Sequence, residues 1–310
     1  MPINTIIMEH KSVLITGGSG LVGRYLTNLL LSKGYSVSHL SRSGKSRKEV
    51  TVFKWDPENG TIDKDALSGI NYLVHLAGAN IGEKKWTISR KKEILNSRVE
   101  SANLLFSKIR ENRADLKAFI SASAVGYYGS STSDKSYDES DPCGTDFLAS
   151  ICKSWEAAAD QLTDIGIRTV KIRSGLVLEK TDSALSKLMM AGKFGFLVQT
   201  GNGRQYMPWI HIKDLTGIYL KAIEDQTMTG AFNAVAPQHV THSEFMAILG
   251  KVMKRTVLPV YVPAFLLKTV LGEMSEVILK GNKISSEKIV TTGYVFNYPE
   301  LEGALKDIII

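Results

Sequence analysis

Thr16-Gly17-Gly18-Ser19-Gly20-Leu21-Val22-Gly23 follows directly on the apolar run 12–16 and opens onto residues 21–32, whose apolar side chains recur at helical spacing until Gly34. A glycine-rich loop alone is a weak signal. Placed between a buried strand and an amphipathic helix, it reads as the phosphate-binding turn of a dinucleotide fold. Gly17 permits the tight turn, Gly20 lets the backbone approach a pyrophosphate, and Gly23 allows helix and strand to pack closely. The backbone of Ser19, Gly20, Leu21 and Val22 then presents N–H groups at a helix start, where the helix dipole favours an anion.

Outward from the loop, residues 35–41 form a second strand and 50–55 a third. Chains that prefer NAD carry an acid at the end of the second strand to hold the ribose 2′-hydroxyl. Here the stretch is His39-Leu40-Ser41-Arg42-Ser43. An acid would repel a 2′-phosphate, whereas Arg42, with Ser41 beside it, can pair with one and stack on adenine. The expected cofactor is therefore NADP(H); the plain alternative is a solvated surface arginine. Asp56, after the third strand, either contacts adenine or ends a turn with Pro57.

The alternation continues: strand 72–76, helix 89–110, strand 117–123, helix 146–162, strand 168–174. It predicts an α/β fold, a doubly wound parallel Rossmann sheet. After Gly175 the pattern breaks. Helices are expected over 183–192, 212–223, 243–253 and 264–279, and loop or short strand over 194–209. Strand 231–234 is expected to rejoin the main sheet, and a Pro-punctuated stretch and a polar end complete the chain. The expected organisation is an NADP(H)-binding Rossmann domain over 1–175, rejoined by 212–236. A smaller C-terminal α+β substrate lobe takes the segments within 176–310.

Composition narrows the class. Of 310 residues, 44% are hydrophobic and 22% charged, the balance of a soluble globular protein. No apolar run approaches the length of a membrane span. Residues 1–10 lack the basic leader and apolar run of a signal peptide and read as a loose tail. The two cysteines, Cys143 and Cys152, make no disulfide framework and lack metal-ligand spacing, so no metal is expected and the setting reads as reducing and cytoplasmic. The net charge of +7 comes from basic residues scattered apart from 42–48 and 84–92, with no nucleic-acid-binding motif beside them. Neither nucleic acid nor membrane is an expected partner; a small-molecule substrate is, with a protein partner left open.

Further stretches carry a resemblance. The loop 16–23 matches TGGxGxxG, and His75-Leu76-Ala77-Gly78 matches the strand-four motif beside the cofactor of the extended or atypical short-chain dehydrogenase/reductase superfamily. Closer still, the chain resembles the YfcH-like epimerase family, often labelled as SulA-type cell-division inhibitors. The shared stretches are Leu76-Ala77-Gly78-Ala79-Asn80-Ile81, Lys85-Trp86-Thr87, Ser121-Ala122-Ser123-Ala124-Val125-Gly126-Tyr127-Tyr128-Gly129, Trp155-Glu156, Gly201-Asn202-Gly203-Arg204-Gln205-Tyr206, Trp209-Ile210-His211-Ile212-Lys213-Asp214 and Leu271-Gly272-Glu273. The resemblance covers nearly the whole chain. It implies a Rossmann domain with a small C-terminal domain, and NADP(H)-dependent oxidoreductase or epimerase chemistry.

That chemistry needs a tyrosine as acid/base, a lysine four residues on that lowers its pKa and holds the nicotinamide ribose, and a serine that orients the substrate carbonyl. Ser123 is the serine, with Ser121 two residues earlier on the same face. The tyrosine–lysine window reads Ala149-Ser150-Ile151-Cys152-Lys153, so the lysine stands and the tyrosine is an alanine. Lys153 either holds the ribose or is a solvated helix residue. Tyr127 or Tyr128 is the substitute acid, or both rings pack beneath the second lobe; Cys152 is another substitute, or an inert core residue. Arg98 stands where the superfamily often has an asparagine, and it either favours an anionic substrate or makes a surface ion pair.

Leu76, Ala77, Gly78, Ser121 and Arg173 are expected to line the cofactor. Lys85 and Trp86 overhang it, and Gln205, Met207 and Trp209 face it from the second lobe. His211 and Asp214 read as structural anchors of a helix. The leading expectation is an NADP(H)-dependent oxidoreductase or epimerase acting on a small carbonyl or sugar-like substrate, anionic if Arg98 serves it. The competing one is a catalytically degenerate NADP(H)-binding regulatory protein that uses the cofactor as a redox signal to control a partner, in line with the cell-division label of the resemblance.

Overall fold

Alternation of side chains along β1 (Ser12–Thr16) sends Val13 and Ile15 to one face and Leu14 to the other, and all three are fully buried in this computed structural model. A strand buried on both faces belongs inside a parallel sheet covered by helices on each side. The structure describes residues 11–44, 48–132, 134–192 and 196–310; the tail 1–10 and the 45–47 part of the basic run lie outside the described residues.

The further strands are β2 (Ser36–Ser41), β3 (Thr51–Asp56), β4 (Thr61–Ile62), β5 (Tyr72–His75), β6 (Ala118–Ala124), β7 (Ser136–Tyr137), β8 (Thr169–Ser174), β9 (Leu176–Leu178), β10 (Phe196–Thr200), β11 (Trp209–His211), β12 (Gly230–Ala234), β13 (Thr256–Val262) and β14 (Lys283–Ile284). The helices are α1 (Leu21–Ser32), α2 (Ile88–Asn112), α3 (Phe147–Asp164), α4 (Ala184–Gly192), α5 (Ile212–Glu224), α6 (His242–Met253), α7 (Ala264–Leu271), α8 (Glu276–Leu279), α9 (Glu287–Thr291) and α10 (Leu301–Ile309). Eight strands form the main sheet in the order β12-β8-β6-β5-β1-β2-β3-β4, parallel except for the β3–β4 hairpin. The expected return of the chain to this sheet is seen as β12 on β8. The winding reverses at β1, which pairs with β2 on one side and β5 on the other. The crevice above the carboxyl ends of β1 and β5 is the ligand position of a doubly wound sheet.

Leu26 and Leu30 of α1 and Ile218 and Ala222 of α5 cover one face; Leu105 of α2 and Ala159 and Leu162 of α3 cover the other. A separate core around Trp209, Phe245, Leu249 and Leu305 holds the second lobe. One expectation for that lobe needs correction. The helix expected over 264–279 breaks at Gly272, whose φ of 61° no helix tolerates. The polar end carries two helices: α10 buries Leu301, Ala304, Leu305 and Ile308 on one stripe, while Ile289 of α9, with Tyr294 and Phe296, packs into the main-sheet core. The Pro-punctuated stretch contains β13, which pairs with β10. Among the described residues no helix is long and apolar enough to cross a membrane.

Candidate functional site

The glycine loop has the strain and openness that its sequence implies. Gly17 sits at φ +68°, and a Cβ there would come within 2.9 Å of the Leu76 carbonyl carbon. A Cβ on Gly23 would lie 2.4 Å from the Gly17 oxygen, so the loop folds onto its own helix only because that side chain is missing. Gly18, absent from the expected site, is held as tightly: a Cβ there would meet the His39 ring at 2.5 Å. Helices α2, α3 and α6 start on Thr87, Asp146 and Thr241, whose side chains accept first-turn N–H bonds, whereas α1 starts on Gly20 with no side-chain cap. The N–H groups of Leu21, Val22 and Gly23 therefore keep no intrahelical acceptor and face the crevice, as a pyrophosphate requires. Ser19 and Gly20 are exposed at its lip.

The floor of the crevice is locked by Thr16 and His75. Thr16 Oγ1 accepts from the Leu76 and Ala77 N–H groups, both at 3.1 Å, and gives its proton to His75 Nδ1 at 2.8 Å. The imidazole proton is thereby placed on Nε2, which reaches Ser101 Oγ at 3.2 Å. Burial pulls the His75 pKa down to about 4, so this ring stays neutral. The carboxyl ends of β1 and β5 are thus tied side by side, with Gly78 exposed beyond them.

At the adenosine side, Arg42 is exposed just past β2, with Ser41 Oγ 3.2 Å from Ser43 Oγ. Its charge reaches the start of α2, where Glu93 is held below the usual carboxylate range mainly by its hydrogen bond to Arg90, with Lys84 and Arg42 adding. Asp56 accepts from the Glu58 and Asn59 N–H groups and from Asn59 Nδ2, so its oxygens serve the β3–β4 turn.

Several expected catalytic residues meet in one buried network. Ser123 Oγ donates to Glu156 Oε1 at 2.7 Å, and Arg173 grips the same carboxylate through Nε and Nη2, both at 2.8 Å. Arg173 Nη1 also donates to the Tyr128 hydroxyl at 2.9 Å, which passes its proton to Asn233 Oδ1 at 2.7 Å. Burial pushes the Tyr128 phenol up to about 12. The single protons of Ser123 and Tyr128 are therefore engaged within the protein, and Arg173 faces Glu156. Tyr127 differs: its ring lies 3.5 Å from the Arg173 guanidinium carbon, the side chain is half-buried, and its hydroxyl has no hydrogen-bond partner among the described residues. Ser121 turns its hydroxyl to the Ala122 carbonyl, at 3.0 Å.

The tyrosine–lysine window lies in the first turns of α3. Ala149 is fully buried, and Lys153 is exposed without a hydrogen bond or ion pair among the described residues. The α3 side chains that meet the turn after β6 are Leu148 and Cys152, whose Cβ and Sγ lie 3.4 and 3.8 Å from where a Gly126 Cβ would stand. The face of α3 turned to that strand end is thus one residue ahead of the Ala149/Lys153 pair. Burial pushes the Cys152 thiol up to about 12, a poor nucleophile. Arg98 is not a surface ion pair: it is buried, hydrogen-bonded to the Ala79 and Ile94 carbonyls, and stacked 4.9 Å from Trp155.

The second lobe closes both flanks. Arg24 pairs with Asp182 at 3.0 Å and Tyr25 donates to Glu179 at 2.9 Å, tying α1 to the segment after β9. Lys187 donates to the Gly82 carbonyl and Lys91 pairs with Glu273, tying the loop after β5 and the start of α2 to the other side. Within that loop Trp86 bonds the Ile81 carbonyl at 3.0 Å and meets Phe147 edge-on, while Lys85 is exposed. Trp209 lies in the second-lobe core, its indole N–H on the Gln238 carbonyl; Gln205 is buried and bonds the Thr200 and Ile278 carbonyls. Met207, half-buried, packs at the edge of that core. These three hold the lobe together. Glu156, His39, Arg24 and Leu148 were not expected at the site, because their partners lie far away in sequence.

Residues 13–234 match the NAD dependent epimerase/dehydratase family and residues 262–308 a domain of unknown function, DUF1731. An epimerase family protein of Mycobacterium leprae is 34% identical over 294 residues, which cover 94% of this chain and 94% of that protein. The crystal structure of human epimerase family protein SDR39U1 (isoform 2) with NADPH superposes with a TM-score of 0.84 at 33% identity, covering 96% of this chain and 98% of that one. A nucleoside-diphosphate sugar epimerase from Corynebacterium glutamicum superposes with a TM-score of 0.78 at 31% identity, covering 97% of this chain and 58% of that one. A family match running from β1 through β12, shared with relatives of nearly equal length, places this chain in the NAD dependent epimerase/dehydratase family.

Proposed function

We propose that this chain is an NADP(H)-dependent oxidoreductase or epimerase acting on a small carbonyl or sugar-like substrate. The observation that carries the reading is the uncapped start of α1 beneath a glycine loop that Gly17, Gly18 and Gly23 allow, with Arg42 in place of an acid after β2. The human relative solved with NADPH supports the same cofactor. When bound, NADPH supplies a hydride for a carbonyl carbon. The protein's part is to bind the phosphates, orient the carbonyl and give a proton to its oxygen. Tyr127 is the donor in this reading, because its hydroxyl is unengaged while those of Ser123 and Tyr128 are not. Ser123, Glu156 and Arg173 then act as positioning residues that hold the Tyr127 ring.

Ala149 favours a second reading, a regulatory NADP(H)-binding protein without turnover; the cell-division label of the resemblance is no part of it. NADPH titration followed by a carbonyl panel separates the two. Arg42→Glu is expected to lower the preference for NADPH over NADH about tenfold or more. Tyr127→Phe is expected to cut turnover by about two orders of magnitude with NADPH affinity retained. Tight NADPH binding with no oxidation on any carbonyl of the panel would favour the regulatory reading.

A further inference from the structure

Among the described residues the buried arginines are Arg90, Arg98 and Arg173. Arg90 pairs with Glu83 and Glu93, and Arg173 with Glu156. Arg98 has no carboxylate partner among the described residues. Its Nη1 is pinned by the carbonyls of Ala79 and Ile94 at 3.1 and 2.9 Å; among the described residues its buried Nε has no acceptor and none meets its Nη2. Carbonyl dipoles and the Trp155 face steady such a cation but do not neutralise it, and a buried unpaired charge is strongly unfavourable until an anion arrives.

The position of the guanidinium says which anion. It lies against the exposed backbone of Gly78, where a Cβ would stand 2.9 Å from its Cζ, at the mouth beyond β5. The glycine loop and Arg42 belong to the β1–β2 side, which receives the phosphates. Arg98 looks onto the β5–β6 side, next to Cys152 and Trp155 of α3, neither of which supplies a negative charge. We propose that Arg98 receives a carboxylate of the substrate, so that this cleft takes small carbonyl compounds bearing a carboxylate. The planar guanidinium, held through Nη1, keeps Nη2 to donate to a carboxylate oxygen, with the full charge of the group behind that bond. This inference rests on the reading that the cleft holds NADP(H).

The test titrates the NADPH-loaded protein with pyruvate and 4-oxopentanoate, each beside its methyl ester, following the fluorescence of bound NADPH. The acids are expected to bind about tenfold or more tighter than the esters. Arg98→Met keeps a chain to pack on Trp155 and is expected to abolish that preference while NADPH affinity is unchanged; Arg98→Lys is expected to keep part of it, which reads the charge separately should the Met variant fold poorly. Equal affinity for acid and ester, no acid binding, or a preference that survives in the Met variant overturns the proposal. So does a loss of NADPH affinity with acid preference intact, which would assign Arg98 to the cofactor. NADPH affinity is measured before any acid is added, so failure of the cofactor reading is seen by itself. The acid and ester titration is then read by calorimetry on the free protein, with the same expected and overturning results.

Discussion

Glu156 sits in the middle of α3, where a glutamate would ordinarily be solvated, yet it is buried and accepts from both Ser123 and Arg173. Its role was invisible locally, because Ser123 and Arg173 lie on separate strands and nothing in the helix pattern marks them as neighbours. Ser123 itself was legible by type and place, at the end of β6; the direction of its proton was not. Removing the carboxylate leaves Arg173 buried and unpaired beneath Tyr127. Glu156→Ala is expected to destabilise the fold by about 3–5 kcal/mol, read by urea unfolding, with a smaller loss for Glu156→Gln. A change below about 1 kcal/mol would mean that the network is solvated in solution. Arg42, by contrast, needed no partner to be found, since its position one residue past β2 is a matter of chain order.

Among the elements, α1 was legible to the residue and the main strands to within a residue or two, because each is long enough to show its period and is bounded by glycine or a polar turn. The two-residue β4, β7 and β14 are too short for any period, and β13 carries a proline that reads as a break. The join between β1 and β5 makes its own prediction. His75 and His242 are both depressed by burial to about 4, against about 6.5 in the unfolded chain. Between these values the unfolded chain binds protons that the folded chain refuses. Their stabilising effect is therefore complete above about pH 6.5 and is lost as pH falls toward about 4. The urea midpoint is expected to drop across that window, and the drop to be shallower in His75→Gln. An equally steep drop in that variant would contradict the buried neutral ring.

For the whole molecule, Asp214 decides how the end of the chain is held. Fully buried at the start of α5, it accepts from the Asn297 and Tyr298 N–H groups, from Asn297 Nδ2 and from the Tyr294 hydroxyl. Lys213 and His211 add contacts to Asp307 of α10. Asp214→Ala leaves the Asn297 and Tyr298 donors without an acceptor, whereas the Tyr294 hydroxyl keeps the backbone carbonyl of residue 214 at 2.9 Å, and the expected loss is about 3 kcal/mol. Limited proteolysis should show faster cleavage near 294–298 than in the parent; an unchanged pattern would mean that α9 and α10 hold the end unaided. By itself the sequence determined the doubly wound sheet, the glycine cradle and the arginine beyond β2. Each depends on neighbours in the chain, on a period or on the absence of a Cβ. Only the tertiary structure decided that the Ser123 and Tyr128 hydroxyls donate to Glu156 and Asn233, that the Tyr127 hydroxyl finds no hydrogen-bond partner and Arg98 no carboxylate among the described residues, and that Lys153 stands in solvent. Those outcomes turn on which groups from distant elements come within about 3 Å of one another, a distance set by packing rather than by order along the chain.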